Sequence, residues 1–516
     1  MSRTPEGGPA AVASPTVDGL AQVGLAAPEQ ARAGAVRHRR LPGPQGLVVV
    51  AAAVAGARLG LRPITDNSTL VHLRTGILLV RTGHIPRTDP YSFTATGHPW
   101  VVQSWLASLT YGLANAIGHH ALVAEQAVLM GALGAVVALT ARSTTAWRSG
   151  LAATVAIAAS APGWSPRPLL FEFLCLALVV LVAERRANPA WLIPIVWVWV
   201  NTHGSWPVGL AWIGARGLGE ALDRRGWPRE AIRYAVGFLA GLAASLLNPL
   251  TWKLLAFPLV VVGKESTFQG IVEWRSPNFQ DTNSLIALIF IIGALVILLR
   301  AALPWAQLLP ICGFLAAGLI AERNLAPLGV VLAPALATAL AQPELVSSQD
   351  WLGRAAAAAR RLGTSVAWQA ACLAVAGLVT AGLVIIAVRR PTLDLTSYPV
   401  AATNWLAQNG RLGPAHRIDA VDVVGCYLIW RAGPTTKVFI DDRYDMYPRA
   451  VVQDAQTLAG GGFGVEAVLD RWDIDTVLWS SAGVLPAELL TLGGWREAYN
   501  DGSWEVLVRD PTVAPG

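Results

Sequence analysis

The sequence predicts an α-helical polytopic membrane protein that ends in a small soluble α/β domain. Three observations carry this. Of 516 residues, 54% are hydrophobic and only 14% charged, against about 25% charged in ordinary soluble domains. Apolar runs approaching the length of a bilayer crossing recur from residue 45 to residue 390. Beyond about residue 395 the composition turns soluble and strand-like and helix-like patterns alternate. One soluble core cannot hide so much apolar surface, so a water-soluble enzyme is excluded as the whole answer. The 49 glycines and 33 prolines follow no period, which excludes a collagen-like chain.

Residues 1–44 are rich in Ala, Pro, Gly and Gln and read as a disordered cytoplasmic tail. They carry the cluster Arg32, Arg37, Arg39 and Arg40, directly before the apolar run from Leu47 to Leu61. A signal peptide would place its apolar region nearer the start, so an uncleaved first span is expected.

Spans are expected at 45–61, 105–141 (one long or broken element), 150–162, 168–184, 190–202 and 206–222. Further spans are expected at 231–247, 283–300, 303–321, 325–341 and 366–388, about eleven crossings in all. Cytoplasmic connections collect arginine. Arg142 with Arg148, Arg185 with Arg186, the group Arg224, Arg225, Arg229 and Arg233, and the group Arg354, Arg360 and Arg361 all fall on one side. The N-terminus is then cytoplasmic, and a domain from 391 to 516 lies outside a bacterial plasma membrane, after a membrane domain of 45–390.

The connections on the outer side, 62–104, 163–167, 201–206, 248–282 and 322–324, hold Asp66, His72, Asp89, Arg167, His203, Asn248, Glu273 and Arg323. Ionisable groups beside a membrane usually face a wet, functional cavity. In the first of these connections, Asp66-Asn67-Ser68 offers an N-cap to a short helix. Leu70, Leu73, Ile77 and Leu78 would be its apolar face at the interface, with Trp100 and Trp105 in the headgroup layer. A carboxylate just past the first span sits at the depth of a lipid phosphate, which nearby His and Arg side chains can receive. The plainer alternatives are that Asp66 caps the helix, that Asp89 before Pro90 starts a turn, and that His72 and His98 only hydrogen-bond the loop.

The C-terminal region reads as strands at 416–420, 437–441, 476–479 and 504–508, with helices at 423–431, 450–458, 464–472 and 486–492, a small three-layer α/β domain. Asp441, Asp442, Arg443 and Asp445 follow a strand, where such sheets bind ligands; a solvated turn with an internal salt bridge is the alternative. The glycines 460–462 are a hinge or cap signal, and no GxGxxG follows a strand.

The net charge of +6 comes almost wholly from arginine, with three lysines. No basic run is interleaved with aromatics, so nucleic acid is not an expected partner. Cys175, Cys312, Cys372 and Cys426 lack any metal-ligand spacing and are expected to be buried single thiols.

The stretch TDPYSFTATGHPWVVQSWL, preceded by DNSTLVHLRTG, resembles a large family of bacterial polytopic membrane proteins that are similar to the GT-C superfamily of integral-membrane glycosyltransferases. Trp199 to Gly204, Asn248-Pro249, Glu273-Trp274 and Val438 to Pro448 extend the likeness, which covers most of residues 45–510. The resemblance implies transfer of a sugar from a polyprenyl-phosphate donor to a cell-envelope glycan or lipid acceptor on the outer face. It implies that Asp66 is the acidic residue of the first outer loop. Relatives often carry further acids where this chain has Ser68 and Ser104, so a divalent metal is not indicated and no cofactor is required.

On that reading Asp66 is the general base, and Asp89 orients the loop or binds the acceptor. His72, Arg74, Arg167, His203 and Arg323 meet the lipid phosphate. Glu273, Trp274, Asp441, Asp442 and Arg443 contact the acceptor. Glu172 either pairs with Arg167 or braces the pocket, and Glu125 has no assigned role. A transporter or flippase of envelope lipids, and a non-catalytic envelope scaffold, are the rival classes.

Overall fold

The computed structural model describes residues 41–226, 228–264, 272–342 and 365–514. Most of the expected tail, including Arg32, Arg37, Arg39 and Arg40, lies outside the described residues, as do Arg354, Arg360 and Arg361.

The first helix, α1 (Pro44–Gly60), opens with a proline in its first turn, where the missing N–H costs nothing. It packs along α4 (His119–Thr140). Gly56 and Gly134 lie where the two backbones touch, and a methyl at either would overlap the partner's main chain. Small residues permit the same close approach between helices in bilayers.

Between them, α2 (Asn67–Thr82) packs against α3 (Trp105–Ile117), with Gly76 opposed to Gly112. The element expected over 105–141 is thus two helices, broken at Gly118, whose φ of 152° L residues rarely adopt. Of the expected interfacial face of α2, Leu70 and Leu73 are instead buried, each 2% exposed, while Ile77 and Leu78 are half-buried.

The remaining expected spans are each matched by a helix. They are α5 (Ala146–Ser160), α6 (Leu169–Glu184), α7 (Leu192–Thr202), α8 (Trp206–Arg224) and α9 (Arg229–Ala244). One further helix, α10 (Trp252–Gly263), occupies a stretch expected to be a connection; its internal Pro258 obscured the pattern. Then follow α11 (Thr282–Leu298), α12 (Trp305–Ile320), α13 (Leu325–Ala341) and α14 (Val366–Val388).

Among the described residues, three stretches are long and apolar enough to cross a membrane: His119–Thr140, Glu322–Ala341 and Val366–Val388. Two of them are apolar for different reasons. The window of Glu322–Ala341 is 83% buried among other helices, whereas that of α14 is 6% buried and presents its side chains outward. A helix apolar all round either fills a core or faces lipid.

Beyond α14 come α15 (Val400–Gln408), α16 (Asp422–Ala432), α17 (Arg449–Gly460), α18 (Val465–Arg471) and α19 (Val484–Leu492). They accompany a four-stranded sheet of β1 (Ile418–Asp419), β2 (Thr476–Ser480), β3 (Trp495–Asn500) and β4 (Trp504–Arg509). The order is β1-β2-β4-β3, with β1 parallel to β2 and the other pairs antiparallel. The strand expected at 437–441 is reduced to isolated bridges, because Val438 lies between Ser92 and Ile418. The edge strand β3 was missed; Arg496 and Glu497 are both exposed and break the alternation.

The C-terminal region shares its apolar core with the first long connection. Tyr91, Trp100 and Val102 pack with Phe439, Tyr447 and Leu478 in one buried cluster. The Phe93 N–H donates to the Val438 carbonyl (3.1 Å) and the Val438 N–H to that of Tyr91 (3.0 Å). Trp100, expected among lipid headgroups, therefore lies inside the protein at 7% exposure. Of the cysteines, Cys175 and Cys426 are buried, but Cys372 is half-buried and Cys312 is exposed, each on an apolar helix with outward-facing side chains.

Candidate functional site

Asp66 is the residue immediately before α2, yet its side chain makes no capping hydrogen bond. One oxygen instead accepts from the Ser165 hydroxyl at 2.5 Å and lies 3.8 Å from Arg167 Nε. The other, Oδ1, is buried and has no hydrogen-bond partner. Thr69, one turn into α2, donates to the Pro166 carbonyl at 2.7 Å, so the helix start and the segment 165–167 are tied together.

Arg167 is the hinge of this group. Its guanidinium also donates to Glu273. Burial by itself lowers the Arg167 pKa, but the charges of Asp66, Glu273 and Asp442 more than reverse this and raise it. Burial likewise raises the Glu273 pKa, and Arg167 with Arg323 turns the balance so that it is held low. Arg323 lies over the Trp274 ring at 4.5 Å, a cation–π contact.

Beside these residues is a hollow of about 180 Å³, lined by Ser165, Arg167, Glu273, Asn283, Glu322 and Arg323 together with apolar residues of α5, α6 and α11. Ser284 donates to Glu322 at 2.8 Å on its wall. Two guanidinium groups at one hollow suit a phosphate, since Arg offers planar, charge-assisted donors.

The other expected phosphate ligands are placed differently. His203 follows α7, with Nδ1 2.7 Å from the Ser205 hydroxyl and 3.1 Å from Glu172. Glu172 thus lies against His203, while the acidic partners of Arg167 are Asp66 and Glu273. His72 has Nδ1 2.9 Å from Ser108 Oγ. Burial first, then His203, Arg443 and Arg167, lowers its pKa to about 3. That shift favours the neutral imidazole, which can offer a phosphate a hydrogen bond but not a charge. Arg74 is turned away, donating to the Gly433 carbonyl of the C-terminal region.

Asp89 also lies elsewhere. It is 3% exposed, accepts from the Tyr91 N–H (3.1 Å), the Ser92 N–H (2.9 Å) and the Ser92 hydroxyl, and is ion-paired with Arg443 at 2.8 Å. Arg443 is held in turn by Asp441, which also accepts from the Tyr447 hydroxyl at 2.6 Å. Its guanidinium sits 4.4 Å over Trp100. Buried and paired in this way, Asp89, Asp441 and Arg443 brace the loop, away from the hollow that Arg167 and Arg323 line. Asp442 alone of that run turns toward Asp66: its carboxylate accepts from Ser68 and, at 3.3 Å, from Asn67. Sequence reasoning missed Ser165, which stands two residues before Arg167 with no motif to mark it. Among the described residues, no three His, Cys, Asp or Glu side chains converge as a metal set.

A bundle of apolar helices with charged residues gathered in its connections, and with a C-terminal region locked onto the first of them, has a GT-C-like membrane fold. The archaeal oligosaccharyltransferase AglB from Archaeoglobus fulgidus, solved with an inhibitory peptide and a dolichol-phosphate, superposes on 91% of this chain and 74% of its own, with a TM-score of 0.52 and 13% identity. ArnT from Cupriavidus metallidurans, apo and bound to undecaprenyl phosphate, gives TM-scores of 0.48 and 0.47 at 16% identity, over 91% of this chain and 98% and 99% of that one. No protein-family model and no curated protein matches the sequence.

Proposed function

We propose that this chain is a membrane glycosyltransferase that moves a sugar from a polyprenyl-phosphate donor to a cell-envelope acceptor on the outer face of the membrane. The observation that carries the reading is the meeting of Asp66 with Arg167 beside the hollow that Arg323 also lines. The unpartnered oxygen of Asp66 is free to take the proton of an acceptor hydroxyl. The acceptor oxygen then attacks the anomeric carbon, and the bond from that carbon to the phosphate oxygen breaks. The lipid phosphate leaves with the bonding electrons, its charge met by Arg167 and Arg323. A phosphate leaves readily enough that no strong general acid is needed. The dolichol-phosphate in AglB, whose fold this chain shares, supports a lipid of this class.

Lipid binding tests the reading. Native mass spectrometry of the purified protein with undecaprenyl phosphate or undecaprenol is expected to show retention of the phosphate form only, lost in Arg167→Ala with Arg323→Ala. Equal retention of both lipids would count against it.

A further inference from the structure

The first turn of α2 places Asp66, yet Asp66 does nothing to cap that helix. What holds the turn comes from the far end of the chain. Asn67 and Ser68 both donate to one oxygen of Asp442, and Asn67 lies 3.6 Å from Cys426 Sγ as well. Asp442 is itself fixed from both sides. Asp441 before it and Arg443 after it form the buried brace with Asp89 and Tyr447. The segment leading into Asp66 is tied to the same region: the Ile64 N–H donates to the Thr392 carbonyl, and the Asp394 N–H donates to that of Ile64, both at 2.9 Å.

We propose that Asp442 is a positioning residue for sugar transfer, setting the Asp66 carboxylate against Arg167 through its grip on Asn67 and Ser68. This rests on the function proposed above. The geometry makes the C-terminal region part of the site's scaffold, because the carboxylate that aligns the general base is not in the same segment as the base. Small displacements of a reacting group cost large factors in rate, so a clasp two residues from Asp66 has leverage on kcat.

Asp442 also sets charge. Burial first, then Asp441, raises its pKa to about 7, with Ser68 opposing and Asp66 adding. The charged and titratable groups facing it are Asp66, Arg167, Asp441, Cys426, Tyr398 and Tyr444. Loss of its proton near neutrality makes it a better acceptor for Ser68 and Asn67, so transfer rises with pH through that region.

The test is a transfer assay across pH for the full chain and its variants. Asp442→Ala is expected to lower kcat roughly tenfold or more, with the donor KM little changed. Asp442→Asn, whose amide carbonyl still accepts from Ser68, is expected to recover part of that loss and to flatten the wild-type inflection near neutrality. Wild-type kcat and pH profile in Asp442→Ala, with Asp66→Asn inactive, would overturn the proposal while leaving the function standing. A thermal-unfolding cycle of Ser68→Ala with Asp442→Ala reads the clasp without any transfer. Non-additive shifts support it, and additive shifts refute it even if wild-type transfer is absent.

Discussion

Arg443 and Asp89 form an ion pair of 2.8 Å between the C-terminal region and the first long connection, with their side chains 7% and 0% exposed. Removing one partner of such a pair leaves a buried charge uncompensated, which costs about 3–5 kcal/mol. Arg443→Met leaves both Asp89 and Asp441 unpaired. It should lower the thermal midpoint in detergent far more than Arg417→Met, whose partner Asp473 is 79% exposed. Similar small losses in both variants would contradict the brace.

Arg167 donates to Glu273 and holds its Nε 3.8 Å from Asp66, an ion pair without a hydrogen bond. A lysine ammonium is a point charge and cannot reach toward both carboxylates as a planar guanidinium does. Arg167→Lys should keep the fold but lose roughly hundredfold in kcat, the scale of removing one charge-stabilising donor. Circular dichroism alongside the transfer assay checks both halves of this expectation.

Glu172 is buried against a half-buried His203, with side chains 4% and 14% exposed. Glu172→Gln keeps a polar oxygen beside the ring, whereas Glu172→Ala leaves Ser205 as the partner of Nδ1 and should cost about 0.5–1.5 kcal/mol. Thermal unfolding of the two variants distinguishes them; equal midpoints would mean that the contact contributes nothing.

The pKa of Asp442 is raised in the folded chain, to about 7 from an ordinary 3.8. The folded state therefore holds this proton more tightly than the unfolded state. The stability it contributes is fully present below the unfolded value and is lost as pH rises through the folded one. Asparagine does not titrate. The midpoint of Asp442→Asn relative to wild type should thus climb between pH 5 and pH 8, and a flat difference would show that Asp442 is not perturbed.

Helix positions were legible because a bilayer demands long apolar runs, and those survive in any context. Gly118 gave no such signal, since one glycine among apolar residues reads as continuous helix until the backbone turns. The acid before α2 was legible from its place after the first span, but its partner Ser165 was not. Serine is common in connections, and only the fold brings 165 to 66. Asp89 misled for a related reason. A carboxylate in a polar loop looks available, and the arginine that buries it arrives from residue 443. Asp442 was read with Asp441 and Arg443 as one patch, although the alternation of side chains sends it to the opposite face from theirs.

The most direct test of the account is sugar transfer from polyprenyl-phosphate donors by purified wild type and by Asp66→Asn in liposomes. The account predicts transfer by the wild type and its loss in Asp66→Asn, with lipid binding and thermal midpoint retained. Equal transfer by the two proteins would contradict it.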